Sequence, residues 1–157
     1  MHKVSGKSAA LKLDDLSLKV LREVTKDARV PVLDIAKKLD VSPQLVQYHL
    51  KKLKKVILSN HIAINYSALN KQHYHLTFQV NDHKVIPKIV EFFKHSKKSI
   101  FATKMIGAYD CSSELIVENN EELRKFLDEL LELFSDKINV MDVLLIYKEY
   151  QMRLFPV

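Results

Sequence analysis

The chain is poor in glycine, cysteine and long apolar runs, and each shortage removes a class of function. Gly6 and Gly107 are its two glycines in 157 residues. A dinucleotide-binding loop needs three closely spaced glycines and a phosphate-binding P-loop needs two, so neither is built here. Ser5-Gly6-Lys7-Ser8 matches the end of a P-loop, but Met1 stands where its first glycine belongs, and the run reads as tail or linker. The single Cys111 forbids an internal disulfide and a cysteine-based zinc site. No apolar run approaches the roughly 18 residues of a membrane span, and the first residues lack the apolar core of a secretory signal. A cytoplasmic protein with no membrane partner is expected. Nucleophile elbow, His-Glu-x-x-His motif and paired carboxylates beside glycines are all missing, so no catalytic residue, resident metal or cofactor is expected.

What the chain does have is charge, unevenly placed. Residues 1–70 hold 13 Lys+Arg against 6 Asp+Glu, whereas residues 71–157 hold 12 against 13. No acidic residue lies between Asp40 and Asp82, yet Lys51, Lys52, Lys54, Lys55 and Lys71 do. A lysine run alone reads equally well as a solvated helix face. Confinement of the whole basic excess to one half is more telling, because a polyanion needs a localised field. It suggests a DNA- or RNA-facing module joined to a near-neutral one.

The first half reads as three helices. Leu16, Val20, Leu21 and Val24 recur at helical spacing behind Asp14 and Asp15, either of which can cap the start. Pro31 marks a second short helix, with Leu33, Ile35, Ala36 and Leu39 expected on its buried side. After the Asp40-Val41 turn, Ser42-Pro43 is the sharpest local signal: Ser as N-cap, and Pro where its missing N–H costs nothing. The third helix runs to about Lys55 and buries Val46, Leu50 and Leu53. Gln44, Gln47, Tyr48 and Lys51 then point outward, with His49, Lys52, Lys54 and Lys55 on the flanks. Glutamine can pair with adenine, tyrosine can reach base or phosphate, and lysine neutralises phosphate. Ser42, Pro43, Gln44, Gln47, Tyr48, His49, Lys51, Lys52, Lys54 and Lys55 are therefore the expected DNA-binding set. The plan is that of a helix-turn-helix, whose last helix enters the major groove. A helical bundle for protein contacts is the bland alternative, and the charge asymmetry argues against it.

The second half reads as α+β. Residues 56–64 look like a strand, and 65–72 like a polar turn. Tyr74, Leu76, Phe78 and Val80 alternate as in a half-buried strand. Residues 84–94 are helical, 99–106 a strand, Gly107 to Asp110 a turn and 111–117 its hairpin partner. Leu123, Phe126, Leu127, Leu130, Leu131 and Phe134 mark a strong helix, and 138–147 a last strand. The order β-α-β-β-α-β is the ferredoxin-like one, a four-stranded antiparallel sheet with both helices on one face. Its other face favours self-association.

Taken together the halves resemble the Lrp/AsnC (feast/famine) family of prokaryotic transcription regulators. The resemblance spans about residues 13–157. It rests on Leu13-Asp14-Asp15 with Leu21, on Asp27-Ala28-Arg29, on Ile35-Ala36-Lys37-Lys38-Leu39, on Val41-Ser42-Pro43, and on Gly107-x-Tyr109-Asp110 in the hairpin. It implies a helix-turn-helix domain at 13–55, a hinge strand and connection at 56–72, and a ferredoxin-like effector-binding and oligomerisation domain at 73–157. It also implies a double-stranded DNA partner, homodimers assembling into larger oligomers, and an amino acid or other small metabolite as effector. By the same motif Gly107, Ala108, Tyr109 and Asp110 are the effector-binding candidates, Asp110 facing an ammonium group. Read from residue chemistry alone, they are simply a hairpin turn. Leu144-Leu145-Ile146-Tyr147-Lys148-Glu149 and Asn65-Tyr66-Ser67 resemble an archaeal sub-branch with two such units in tandem, in which residues 1–12 would be a linker. Two departures stand out. Lys54-Lys55-Val56-Ile57 replaces the usual glycine before the hinge, and Asp40 stands where glycine is frequent.

Other polar groups have plainer readings. His73 and His75, with His61 nearby, suit a surface or interface better than a metal. Cys111 reads as a small buried hydrophobe. One rival function shares the layout: sirohaem decarboxylases place a tetrapyrrole at the sheet interface, but they have little use for a lysine-rich third helix. A ligand-sensing oligomerisation module without DNA binding is the other rival.

Overall fold

The computed structural model describes residues 12–57 and 63–150. The chain divides into two compact units, with the boundary between Ala63 and Ile64.

The first unit holds helices α1 (Asp15–Lys26), α2 (Val32–Leu39) and α3 (Pro43–Leu53). Asp14 caps α1 by accepting the Ser17 amide at 2.7 Å, and Ser42 caps α3 by accepting the Leu45 amide at 3.2 Å, with Pro43 at the first position. Beyond α2, Asp40 adopts φ +53° and the Val41 amide reaches back to the Ala36 carbonyl at 3.0 Å. This is a Schellman stop, whose left-handed residue is normally glycine and which Asp tolerates. The backbone demand explains why glycine is the usual residue at that point. Val20, Leu21, Ile35, Ala36, Val46 and Leu53 form the core. Leu33, expected on the buried side of α2, is 59% exposed. It lies about 110° around the helix from the Ile35–Leu39 stripe, and Val32 packs in its stead.

The expected hinge strand does not begin at Val56. The Val56 and Ile57 amides both turn back to the Leu53 carbonyl at 2.8 Å, which tightens the chain after α3. Residues 58–62 of that expectation, and His61 with them, lie outside the described residues. Ala63 to Asn65 have no regular structure, and Ser67–Leu69 form a single 3₁₀ turn.

The second unit is the β-α-β-β-α-β arrangement: β1 (Gln72–Val80), α4 (Ile86–His95), β2 (Ser99–Lys104), β3 (Cys111–Val117), α5 (Asn120–Phe134) and β4 (Ile138–Leu145). The sheet order is β2-β3-β1-β4, antiparallel throughout. Tyr74, Leu76, Phe78 and Val80 of β1 all face the helices, where Ile89 and Phe93 of α4 and Phe126 and Leu130 of α5 meet them. Phe92, Phe93, Phe126 and Phe134 stack around this core with centroids 5.4–6.0 Å apart.

Among the described residues of this unit, no helix packs on the other sheet face. The register places His75 between Glu114 and Leu144, and Thr77 between Ser112 and Asp142. Phe101 of β2, with Val140 and Leu144 of β4, adds exposed apolar surface there.

Candidate nucleic-acid interface

Helix α3 buries one side and offers the other. Val46 and Leu53 are fully buried and Leu50 is partly so. Opposite them, Gln44, Tyr48 and Lys51 recur at i, i+4 and i+7, with Gln47 beside them and Lys54 and Lys55 following in the turn that ends the helix, all exposed. Tyr48 is the most prominent aromatic of this face, at 61% exposure. Ser42 and Pro43 set the entry of the helix through the cap already described. Seven of the ten sequence-derived candidates thus fall within α3, Ser42 and Lys54 cap it and Lys55 lies in the turn beyond, and all but His49 and Lys52 keep the orientation expected of them.

The other two do not. His49 was expected on the flank, but it is buried beneath α1, its Nδ1 2.8 Å from Ser17 Oγ and 3.5 Å from Asp14 Oδ1. It sits on the inner side of the wheel between Val46 and Leu53, and a small residue at Ser17 leaves room for the imidazole. Its ring therefore joins α3 to α1 instead of facing a groove. Lys52 is tied at 2.6 Å to Asp14 Oδ2. The Lys52 ammonium, followed by the Ser17 amide, holds the Asp14 carboxyl well below the usual carboxylate range. Asp14 thus takes up much of the charge that Lys52 was expected to offer to phosphate. Among the described residues Lys52 is the only lysine of α3 in an ion pair.

Leu45 was missed. It is 39% exposed on the outer rim of α3, where an apolar side chain can meet a thymine methyl. The wheel alone could have revealed it, since Leu45 lies some 80° from the buried stripe.

The Gly107–Asp110 turn is anchored within its own unit. Gly107 has φ +149°, open to glycine but strained for other residues. Asp110 accepts the Val80 amide on Oδ2 at 2.9 Å, and its Oδ1 lies 3.3 Å from His83 Nε2. Gln79 Nε2 donates to the Ala108 carbonyl at 2.6 Å, and the Tyr109 hydroxyl donates to Asp142. The Asp142 contact pushes the Tyr109 phenol above its ordinary value. The two polar side chains of this turn, Tyr109 and Asp110, thus both have partners inside the protein.

His73 and His75 flank a carboxylate that the sequence did not bring to them. Glu114, from the neighbouring strand, places its oxygens 3.2 Å from His73 Nε2 and 3.6 Å from His75 Nδ1. Among the described residues no group of His, Cys, Asp and Glu has the geometry to hold a metal. Burial, and then Asp110, push the Cys111 thiol up to about 11. Among the described residues no helix is long and apolar enough to cross a membrane.

Known proteins agree with both units. A family model described as winged helix-turn-helix DNA-binding matches residues 13–55. The chain is 26% identical over 121 residues to the HTH-type transcriptional regulator LysM of Sulfurisphaera tokodaii, covering 77% of this chain and 86% of that one. Its fold is similar to that of AsnC from E. coli, with a TM-score of 0.75 at 18% identity, over 92% of this chain and 99% of that one. A transcriptional regulator from Neisseria meningitidis, in complex with L-Met, superposes with a TM-score of 0.79 at 13% identity, over 92% and 97% of the two chains. At such identities the two structures speak for a shared fold, which covers nearly the whole chain.

Proposed function

From the premise that this chain is a DNA-binding helix-turn-helix protein of the Lrp/AsnC type, we propose that it is a cytoplasmic regulator that reads specific double-stranded DNA through α3. The observation that carries this reading is the exposed Gln44-Tyr48-Lys51 stripe on a capped helix whose opposite side is buried, with exposed Lys54 and Lys55 in the turn that follows. Lysines 51, 54 and 55 supply the salt-dependent part of affinity, and Gln44, Gln47 and Tyr48 discriminate between bases. Residues 13–55 do the reading, while 73–157 associate with a second copy through the helix-free sheet face. A homodimer then offers two copies of α3 to successive major grooves, about 34 Å apart. No catalytic step is assigned to the chain.

Modulation by an amino acid or similar metabolite at Gly107, Ala108, Tyr109 and Asp110 forms part of the proposal. Its support is the motif and the L-Met complex of the Neisseria regulator. Since Asp110 already serves Val80 and His83, an effector there works by exchanging those contacts, which gives it leverage on the end of β1.

Binding to duplex DNA at two salt concentrations tests the reading. Lys51→Ala weakens binding across all sequences and lowers the salt slope by about one. Gln47→Ala changes the preferred base at one position and leaves the salt slope alone. A chain that binds no duplex at low salt sinks the proposal.

A further inference from the structure

The first turn of α3 carries a side chain for which the helix itself has no use. Leu45 is its third residue, the one whose amide Ser42 Oγ caps. In a reciprocal cap that position belongs to Glu or Gln, which bonds back to the chain before the helix. Helix α5 does this, its third residue Glu122 accepting the Glu118 amide at 2.7 Å. The first turns of α1 and α2 carry Asp15 and Asp34 at the positive end of the helix dipole, whereas that of α3 carries no acid. A leucine there serves neither the cap nor the dipole.

Nor does it serve the core. Val46 lies inside the buried cluster of the first unit, and Val41 and Leu50 pack against it. Among the described residues Leu45 takes no part in that cluster, and it is 39% exposed. Its neighbours are those of the outward face: Gln44 precedes it, and exposed Tyr48 stands at the i+3 spacing that makes residues adjacent on a helix. Leu45 and Tyr48 thus line one edge of a face whose other members are amides and ammonium groups. The first turn of such a helix is the part that meets base edges. Among the groups that base pairs display in the major groove, the thymine C5-methyl is the apolar one, and the rest are hydrogen-bond donors or acceptors. A leucine pressed on the other edges covers polar groups without bonding them; at thymine it finds a matching surface.

We propose that Leu45 is a specificity-determining residue that reads the C5-methyl of one thymine in each half-site. The inference rests on the reading of DNA through α3 and adds to it a base chosen by an apolar contact.

Thymine and deoxyuridine differ by that methyl alone, so the DNA supplies the test. A site is selected from a random duplex library with the full chain, and each of its thymines is replaced in turn by deoxyuridine. At one position per half-site the dissociation constant is expected to rise about fourfold, the worth of one buried methyl-sized group. Leu45→Ala binds the unmodified site at least about fourfold more weakly and is indifferent to deoxyuridine at that position, whereas Gln47→Ala keeps the deoxyuridine penalty. A merely structural role for Leu45 weakens binding to both duplexes alike, so the coupling tells the two roles apart. Leu45→Met, apolar and of similar size, retains the penalty. A site without a deoxyuridine-sensitive thymine, or a penalty that Leu45→Ala leaves in place, overturns the proposal while the regulator reading stands. A fall in the mass of the protein with Leu45→Ala, read by light scattering, overturns it in favour of contact with a second copy. A chain that selects no duplex at all defeats the regulator reading and this proposal with it.

Discussion

Ser17 and His49 make the one fully buried side-chain hydrogen bond between α1 and α3, at 2.8 Å. Removing either partner strands the other in the core at a cost of about 1–3 kcal/mol, whereas removing both leaves an apolar contact. Ser17→Ala and His49→Leu are each expected to destabilise the first unit by that amount, and the double variant by less than their sum. Hydrogen exchange at the amides of α1 and α3 reports on this unit without reference to the second. Cys111 makes a contrasting case. It is 2% exposed and its thiol is pushed up to about 11, so it stays protonated and covered at pH 8. A disulfide reagent at that pH is expected to label the native chain no faster than global unfolding allows, and the denatured chain at once. The identity of Cys111 as a small core residue was legible from its place in an alternating strand. That of His49 was not, because the residue that claims its ring lies 32 positions earlier and nothing in the local pattern of α3 marks the pair.

At the scale of elements, what is local in sequence was readable and what depends on distant partners was not. Ser42-Pro43 fixed the start of α3, and the alternation of Tyr74, Leu76, Phe78 and Val80 fixed both faces of β1. Leu33 is exposed where a short helix gives a poorly determined wheel, and Val56 and Ile57, which resemble a strand by composition, close their amides on Leu53 instead. The same limit separates two neighbouring lysines. Lys51 and Lys52 look alike in sequence, but Lys52 is paired with Asp14, 38 residues away. Lys52→Ala is accordingly expected to change the salt slope of DNA binding by much less than Lys51→Ala. It should also loosen the α1 start, since Asp14 loses the main group holding its carboxyl low. Salt titrations of the two variants side by side, with helix content followed by circular dichroism, check this. Equal slopes for both would mean that Lys52 leaves Asp14 for phosphate on binding.

For the whole molecule the decisive surface is the sheet face without helices. Phe101, Val140 and Leu144 are 44%, 39% and 52% exposed on it, around the Glu114 carboxylate that stands between two histidines. An apolar rim around a carboxylate already flanked by two histidines is what a second copy can cover without leaving that carboxylate unpartnered. Leu144 faces outward directly opposite His75, so Leu144→Asp places a carboxylate where that contact would form. Loss of one buried leucine is worth about 1.5–3 kcal/mol, and desolvating the new carboxylate adds to it. The dimer dissociation constant is therefore expected to rise at least about a hundredfold, read as a fall to monomer mass in light scattering after gel filtration. Leu133→Asp is the control: Leu133 is 60% exposed on α5, which packs on the opposite side of the sheet, and its mass is expected to stay that of the native protein. The DNA arm follows by arithmetic. A dimer spends one association entropy on two half-sites, whereas a monomer spends it twice. Leu144→Asp should thus lose affinity for a two-half-site operator while keeping that for a single half-site. Native mass with Leu144→Asp, or a fall in mass with Leu133→Asp, would place self-association elsewhere on the chain and leave α3 to be paired by another surface.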